Sequence, residues 1–69
     1  MNVSLTINGE PRQSAADTVA ALLDEEGVPL EAKGVAVAIN GAVVRKPEWN
    51  ATALSEGDTV EIVKPFSGG

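Results

Sequence analysis

The most distinctive chemical group in this sequence is the C-terminal carboxylate, which follows two glycines, Gly68 and Gly69. The 69 residues include no histidine, cysteine or tyrosine, and the serines, acids and lysines form no catalytic grouping. Because glycine has no Cβ atom, a carboxylate on two glycines can enter a narrow channel in a partner protein. We therefore expect the chemistry to reside on the tail, with Phe66, Ser67 and Gly68 presenting Gly69.

Length, charge and composition limit the remaining possibilities. A chain of 69 residues makes one domain, near the lower limit for a self-sufficient core. Without cysteine there is no disulfide or thiolate metal site, so we expect no bound metal and no cofactor. The net charge of −5 argues against nucleic-acid binding. No apolar run approaches the length of a membrane span. We expect a cytoplasmic protein that is a monomer on its own and has no enzymatic activity.

The first fifteen residues predict a hairpin. Val3, Leu5 and Ile7 alternate with polar residues, which is typical of a half-buried strand. The pair Asn8-Gly9 then favours a two-residue turn. Residues 10–14 would return as a second strand, and Pro11 in it predicts an edge position because proline donates no ladder hydrogen bond.

One short amphipathic helix follows. Asp17 or Thr18 can cap its start, and Ser14 also fits a capping spacing. Its apolar stripe consists of Val19, Leu22 and Leu23. Gly27 predicts its end, giving about ten residues. Three acids lie near that end, Asp24, Glu25 and Glu26, which oppose the helix dipole and which we interpret as a solvated face.

The second half of the sequence predicts three more strands. Residues 35–39 alternate between valine or isoleucine and alanine, and Asn40-Gly41 repeats the hairpin signal before a short strand at residues 42–46. Trp49 is the single tryptophan, and we expect it to cover the core. Residues 59–64 form the last strand, with Val60 and Ile62 facing inward.

This order of elements predicts an α+β fold, the ubiquitin-like β-grasp, with a mixed sheet of about five strands and one main helix. The first and last strands would pair in parallel at the middle. Because one helix covers only one face of a sheet, the other face stays open. We expect that open face to dock partners through Ala38 and Val63, together with Pro65 and Phe66. Phe66 could equally plug the core. The domain would span residues 1–65 and the flexible diglycine tail residues 66–69.

The sequence resembles the ThiS family of sulfur carrier proteins of thiamine biosynthesis, and the resemblance covers essentially the whole chain. It is carried by Asn8-Gly9-Glu10, Thr18-Val19 with Leu22-Leu23, Val37-Ala38-Ile39-Asn40-Gly41, Val44-Arg45 with Trp49, Glu56-Gly57-Asp58 with Val60-Glu61-Ile62, and Gly68-Gly69. One departure is Lys64-Pro65-Phe66-Ser67, which is closer to the tails of the small subunit of molybdopterin synthase.

The resemblance implies that a ThiF-type, E1-like adenylyltransferase uses ATP to adenylate the Gly69 carboxylate. The acyl-adenylate would become a thiocarboxylate, with sulfur supplied by a cysteine desulfurase. The thiocarboxylate would then donate sulfur to a ThiG-type thiazole synthase. Three other interpretations remain open: a carrier for molybdopterin synthesis or tRNA thiolation, a ubiquitin-like protein modifier, and a β-grasp binding module in which the two glycines are incidental.

Overall fold

The computed structural model describes residues 2–29 and 33–64. Within these ranges lie five strands, one α-helix and one 3₁₀ turn. In chain order they are β1 (Val3–Ile7), β2 (Glu10–Ser14), α1 (Val19–Glu25), β3 (Ala36–Ile39), β4 (Ala42–Val44), the 3₁₀ turn (Lys46–Glu48) and β5 (Thr59–Val63). No helix in the described part of the chain is long and apolar enough to cross a membrane.

The five strands form one mixed sheet in the order β2-β1-β5-β3-β4. Strands β1 and β5 pair in parallel at the centre, and the other three pairings are antiparallel. Strand β2 lies at an edge, as Pro11 predicted. This is the ubiquitin-like β-grasp arrangement that the sequence predicted, with one helix on one face of the sheet.

Both Asn-Gly pairs form the predicted two-residue turns. Asn8 and Gly9 have φ values of 51° and 84°, and Asn40 and Gly41 have values of 52° and 86°. Positive φ at both central positions is the type I′ geometry, whose twist matches that of the flanking strands. These turns therefore fix the registers of both hairpins, which close at Ile7↔Glu10 and at Ile39↔Ala42.

Helix α1 begins after Thr18, whose side-chain oxygen accepts a hydrogen bond from the Ala21 N–H at 3.2 Å. The first two N–H groups of the helix donate to carbonyl groups in the loop before β5. The Val19 N–H donates to the Thr52 carbonyl and the Ala20 N–H to the Trp49 carbonyl, both at 3.0 Å. Thr18 itself is extended and bridges Ala53, so Thr18 rather than Asp17 is the N-cap, and the helix has seven residues, fewer than the ten predicted.

The helix ends in a Schellman motif, in which Gly27 has a φ of +76°. The Val28 N–H donates to the Leu23 carbonyl at 2.8 Å, and the Gly27 N–H donates to the Asp24 carbonyl at 3.1 Å. Val28 is 4% exposed and belongs to the same core cluster as Leu23. The predicted glycine stop is thus confirmed, and the chain that leaves the helix stays attached to the core.

The core lies between α1 and the covered face of the sheet. Its least exposed large side chains are Val19, Leu22, Leu23, Val37 and Val60. Trp49 is 3% exposed, and its indole N–H donates to the Val44 carbonyl at 3.0 Å. Its predicted place over the core is confirmed. Strands β3 and β5 are one residue shorter than predicted, and β4 is two residues shorter.

Candidate functional site

Five of the predicted site residues lie outside the described residues: Pro65, Phe66, Ser67, Gly68 and Gly69. Their roles in presenting and carrying the reactive carboxylate, and the boundary between domain and tail, stay predictions. The structure does describe the part of the body from which this segment follows. That part comprises β5, which ends at Val63, and the open face of the sheet on which Val63 and Ala38 lie.

The open face carries a small apolar patch near the end of β5. In the sheet register Ala36 pairs with Val63, and Ala38 pairs with Val43 on one side and Glu61 on the other. Val63 is 61% exposed and Val43 is 74% exposed. We call these four apolar residues the Val63 patch: Ala36, Ala38, Val43 and Val63. The sequence analysis placed Ala38 and Val63 on this face but missed Val43, whose outward position depends on the register of β4.

Strand β5 extends past the end of its parallel partner β1. Their pairing covers only Thr6↔Thr59 and Ile7↔Val60, because β1 turns away at Asn8. Beyond that point the side chain of Asn8 binds β5. Its amide nitrogen donates to the Ile62 carbonyl at 3.1 Å, and its oxygen accepts from the Ile62 N–H at 2.8 Å. The last inward residue of β5 is therefore held by a residue 54 positions earlier in the chain.

A polar cleft of about 190 Å³ opens beside this contact. Its lining residues come from β1, the first turn, β2, the helix end and the end of β5: Ile7, Asn8, Glu10, Arg12, Glu26, Ile62 and Lys64. At the wall of the cleft, the Arg12 guanidinium forms an ion pair with the Glu26 carboxylate, with an N–O distance of 2.6 Å. The charged lining residues are two acids, Glu10 and Glu26, and two bases, Arg12 and Lys64, so the cleft presents no single charge to a ligand.

Two of the three acids at the end of α1 have structural partners. Glu25 accepts a hydrogen bond from the Ser14 hydroxyl at 2.7 Å, and Glu26 pairs with Arg12. Asp24 and Glu25 are exposed, as the interpretation of a solvated face predicted, whereas the Glu26 side chain is only 18% exposed and departs from it. Glu25 and Glu26 join the end of the helix to edge strand β2, and this contact compensates for their unfavourable position in the helix dipole.

No grouping of three or more histidine, cysteine, aspartate or glutamate side chains that could hold a metal ion occurs within residues 2–29 and 33–64. Sequence reasoning also gave no signal for the Asn8–Ile62 contact. The Asn-Gly pair predicted only a turn, and the reach of its side chain depends on β1 and β5 being neighbours.

The fold defines the class of this protein: it is a ubiquitin-like β-grasp protein with one helix and an open sheet face. The ThiS family model matches residues 5–69. A sulfur carrier protein ThiS from Thermus thermophilus is 41% identical over 63 residues, which cover 91% of this chain and 95% of that protein. A thiazole synthase from Paramagnetospirillum magneticum is 44% identical over 68 residues, or 97% of this chain. The chain spans only 20% of that synthase's length.

Solved structures show the same likeness. The crystal structure of the thiamine biosynthesis protein ThiS from Geobacter metallireducens superimposes with a TM-score of 0.75 at 36% identity, and each chain is fully covered. The solution structure of a thiamine biosynthesis protein from the same organism gives a TM-score of 0.76 at 35% identity, covering 88% of that chain. The chain belongs to the ThiS family, and its function is that of a sulfur carrier in thiamine biosynthesis.

Proposed function

We propose that this chain carries its sulfur as a thiocarboxylate at the carboxyl group of Gly69 and transfers it to a thiazole synthase. The main support is that the family match runs through to residue 69, so that both terminal glycines fall within the family pattern. The sequence also contains no cysteine, so no side-chain thiol is present to hold the sulfur covalently.

The chemistry on the tail takes two steps. A carboxylate is a poor electrophile because it is anionic, so a carboxylate oxygen of Gly69 first attacks the α-phosphorus of ATP and pyrophosphate leaves. A sulfur nucleophile, with hydrosulfide as the simplest case, then attacks the carbonyl carbon of the acyl-adenylate and AMP leaves. The product is a thiocarboxylate, and neither step changes the oxidation state of the carbon. The residues Gly68 and Gly69 contribute steric access rather than catalysis.

The catalytic groups for these steps belong to the partner proteins in this proposal. A ThiF-type adenylyltransferase binds ATP and supplies the groups that stabilise the departing pyrophosphate. A cysteine desulfurase supplies the sulfur as a persulfide, and a second thiol reduces it to hydrosulfide while a disulfide forms. The chain binds no cofactor of its own and is not an enzyme. This division of work is consistent with a sequence that has no histidine or cysteine to act as base or nucleophile.

The Val63 patch is the proposed docking surface for these partners. Among the described residues, two large apolar side chains are exposed, Val43 and Val63, and both lie on this patch. The patch is continuous with the last described residues before the tail. A partner that covers it would lie close to the point where the described chain ends. Pro65 and Phe66 would extend the same contact.

The similarity to a thiazole synthase supports the choice of sulfur acceptor. In the Paramagnetospirillum magneticum protein, a stretch like this chain occupies a fifth of a longer polypeptide that is named thiazole synthase. A carrier domain within the synthase chain would have a high effective concentration at its acceptor, which fits a direct transfer between the two. In the present protein the carrier domain would transfer its sulfur to the synthase in the same way, whether or not the two are linked.

The proposal is tested by intact mass and tandem mass spectrometry after incubation with ATP, a ThiF-type enzyme and sodium sulfide. We expect one oxygen to be replaced by sulfur and the change to map to Gly69. Gly68→Val should slow the exchange about 100-fold, since a β-branched side chain displaces the reacting group. Asp24→Asn is the matched control, because Asp24 is exposed on the helix, away from the open face, and should react at the wild-type rate.

Three other outcomes would contradict the proposal, each in a different way. A ladder of protein adducts without sulfur would indicate a ubiquitin-like modifier. Sulfur transfer to a molybdopterin synthase or a tRNA-thiolating enzyme, but not to a thiazole synthase, would overturn the proposed acceptor. Unchanged mass in the presence of an active adenylyltransferase would overturn the proposal altogether.

A further inference from the structure

Near the end of β5, the backbone groups that face β1 have no main-chain partner in β1. In the parallel ladder, the Thr6 N–H donates to the Asp58 carbonyl at 3.0 Å, and the Asn8 N–H donates to the Val60 carbonyl at 2.9 Å. The next peptide group on this edge of β5 belongs to Ile62. The backbone that would have paired with it has already turned away at Asn8 and Gly9.

The side chain of Asn8 takes the place of that missing backbone. A carboxamide has the same donor and acceptor as a peptide group, and here it engages both the N–H and the carbonyl of Ile62. The positive φ of Asn8, 51°, allows this because it turns the main chain away while the side chain continues the direction of the ladder. The effect is to extend the hydrogen bonding between β1 and β5 by one further residue, Ile62, in the direction of the C-terminus.

The second Asn-Gly turn offers an internal comparison on the opposite edge of β5. The Asn40 side-chain oxygen accepts from the Thr59 N–H at 3.0 Å, and its amide nitrogen donates to the Asp58 carboxylate at 3.0 Å. Asn40 has nearly the same φ, 52°. The two asparagines thus hold the same strand from its two sides, Asn40 at the beginning and Asn8 at the end.

We propose that Asn8 is a positioning residue that fixes the direction in which the reactive tail leaves the body, by holding the peptide group of Ile62. This inference rests on the proposed function of the tail. On the other edge, β5 is paired with β3 as far as Val63. With Asn8 in place, both edges of the strand are bound near its end, so Lys64, the last described residue, follows a strand end that is held on both sides.

The first test measures the effect on the strand itself. Amide hydrogen exchange is followed by NMR in Asn8→Gly and Asn40→Gly, substitutions that remove the side chain while allowing the positive φ. In Asn8→Gly the Ile62 amide should exchange about tenfold faster relative to the Thr59 amide, since its acceptor is lost. In Asn40→Gly the order should reverse. Equal changes at both amides in either variant would overturn the inference that the Asn8 side chain holds Ile62.

The second test measures the effect on the tail. When the carrier concentration is varied up to saturation of a ThiF-type enzyme, Asn8→Gly should lower kcat for thiocarboxylate formation about tenfold and leave KM within about twofold, because the Val63 patch is intact. Asn40→Gly should keep both constants near the wild-type values. Both assays are run where circular dichroism shows both variants fully folded, so that a purely structural role would affect the two variants alike.

The outcomes separate this inference from the proposed function. If the wild-type chain gains no sulfur, the proposed function fails while the exchange experiment still tests the contact. If the wild type gains sulfur and the two variants have equal kcat, Asn8 has no positioning role and the inference is overturned.

Discussion

Replacing Val63 with threonine tests whether the open sheet face docks partners. The side chain is 61% exposed in the free chain, so the substitution removes little core packing. Valine and threonine are both β-branched and both favour strands, so the folding stability should change little. The effect should therefore appear only when a partner covers the patch.

The magnitude follows from the area that a partner can still bury. Full burial of a valine side chain contributes about 1.5–3 kcal/mol, so the exposed part of Val63 offers about 1–2 kcal/mol. Threonine loses one methyl group of this and adds a hydroxyl, whose burial without a partner costs about 1–3 kcal/mol. A net loss of about 1–3 kcal/mol corresponds to weaker binding by roughly 5- to 150-fold.

The assay is thiocarboxylate formation by a ThiF-type enzyme over a range of carrier concentrations. KM should rise by the factor above while kcat stays unchanged, which is the pattern expected when binding is lost equally in the ground and transition states. Thr59→Val is the matched control, because it is the reverse exchange on the same face of the same strand, outside the Val63 patch. A Val63→Thr variant with wild-type KM would refute docking at this patch.

Two further predictions concern the body. Gly27→Ala should lower the free energy of unfolding by about 1–2 kcal/mol, since the φ of +76° strains any residue with a Cβ although nothing lies within 4 Å of that atom; thermal melts should show a Tm lower by roughly 4–16 °C. Trp49→Phe should lower the free energy of unfolding by about 1–3 kcal/mol, because the Val44 carbonyl loses its indole donor. Urea unfolding with an unchanged m-value would measure this loss. Wild-type stability would contradict the role of this hydrogen bond.

The parts of the fold that were predictable carry local signals. The two Asn-Gly pairs give turns because asparagine and glycine tolerate positive φ, and alternation in the strands shows which residues face the core. The edge position of β2 followed from a single residue, Pro11, because proline lacks the ladder donor. The parallel pairing of β1 and β5 followed from the order of elements and the presence of one helix.

The contacts that were not predictable join residues far apart in sequence through their side chains. Arg12 and Glu26 meet only because β2 lies beside the end of α1, and the periodicity of neither element shows this. Likewise, the turn signal at Asn8 says where the chain reverses and nothing about Ile62, its partner 54 residues away. Helix length was overestimated for a related reason: the loop carbonyls of Trp49 and Thr52 fix where the helix starts.

Strand β5 links folding and function, because its alternate residues serve different faces. Val60 and Ile62 are 0% and 6% exposed and pack under the helix, whereas Val63 faces the open side, close to the tail. A substitution at either inward residue would change stability, and under the proposed role of Asn8 it would also change how the tail is presented. Under the proposed docking, a substitution at Val63 would change recognition alone. The separation exists because the period of a strand is two residues, so a single strand can hold the core and present a docking surface at its end.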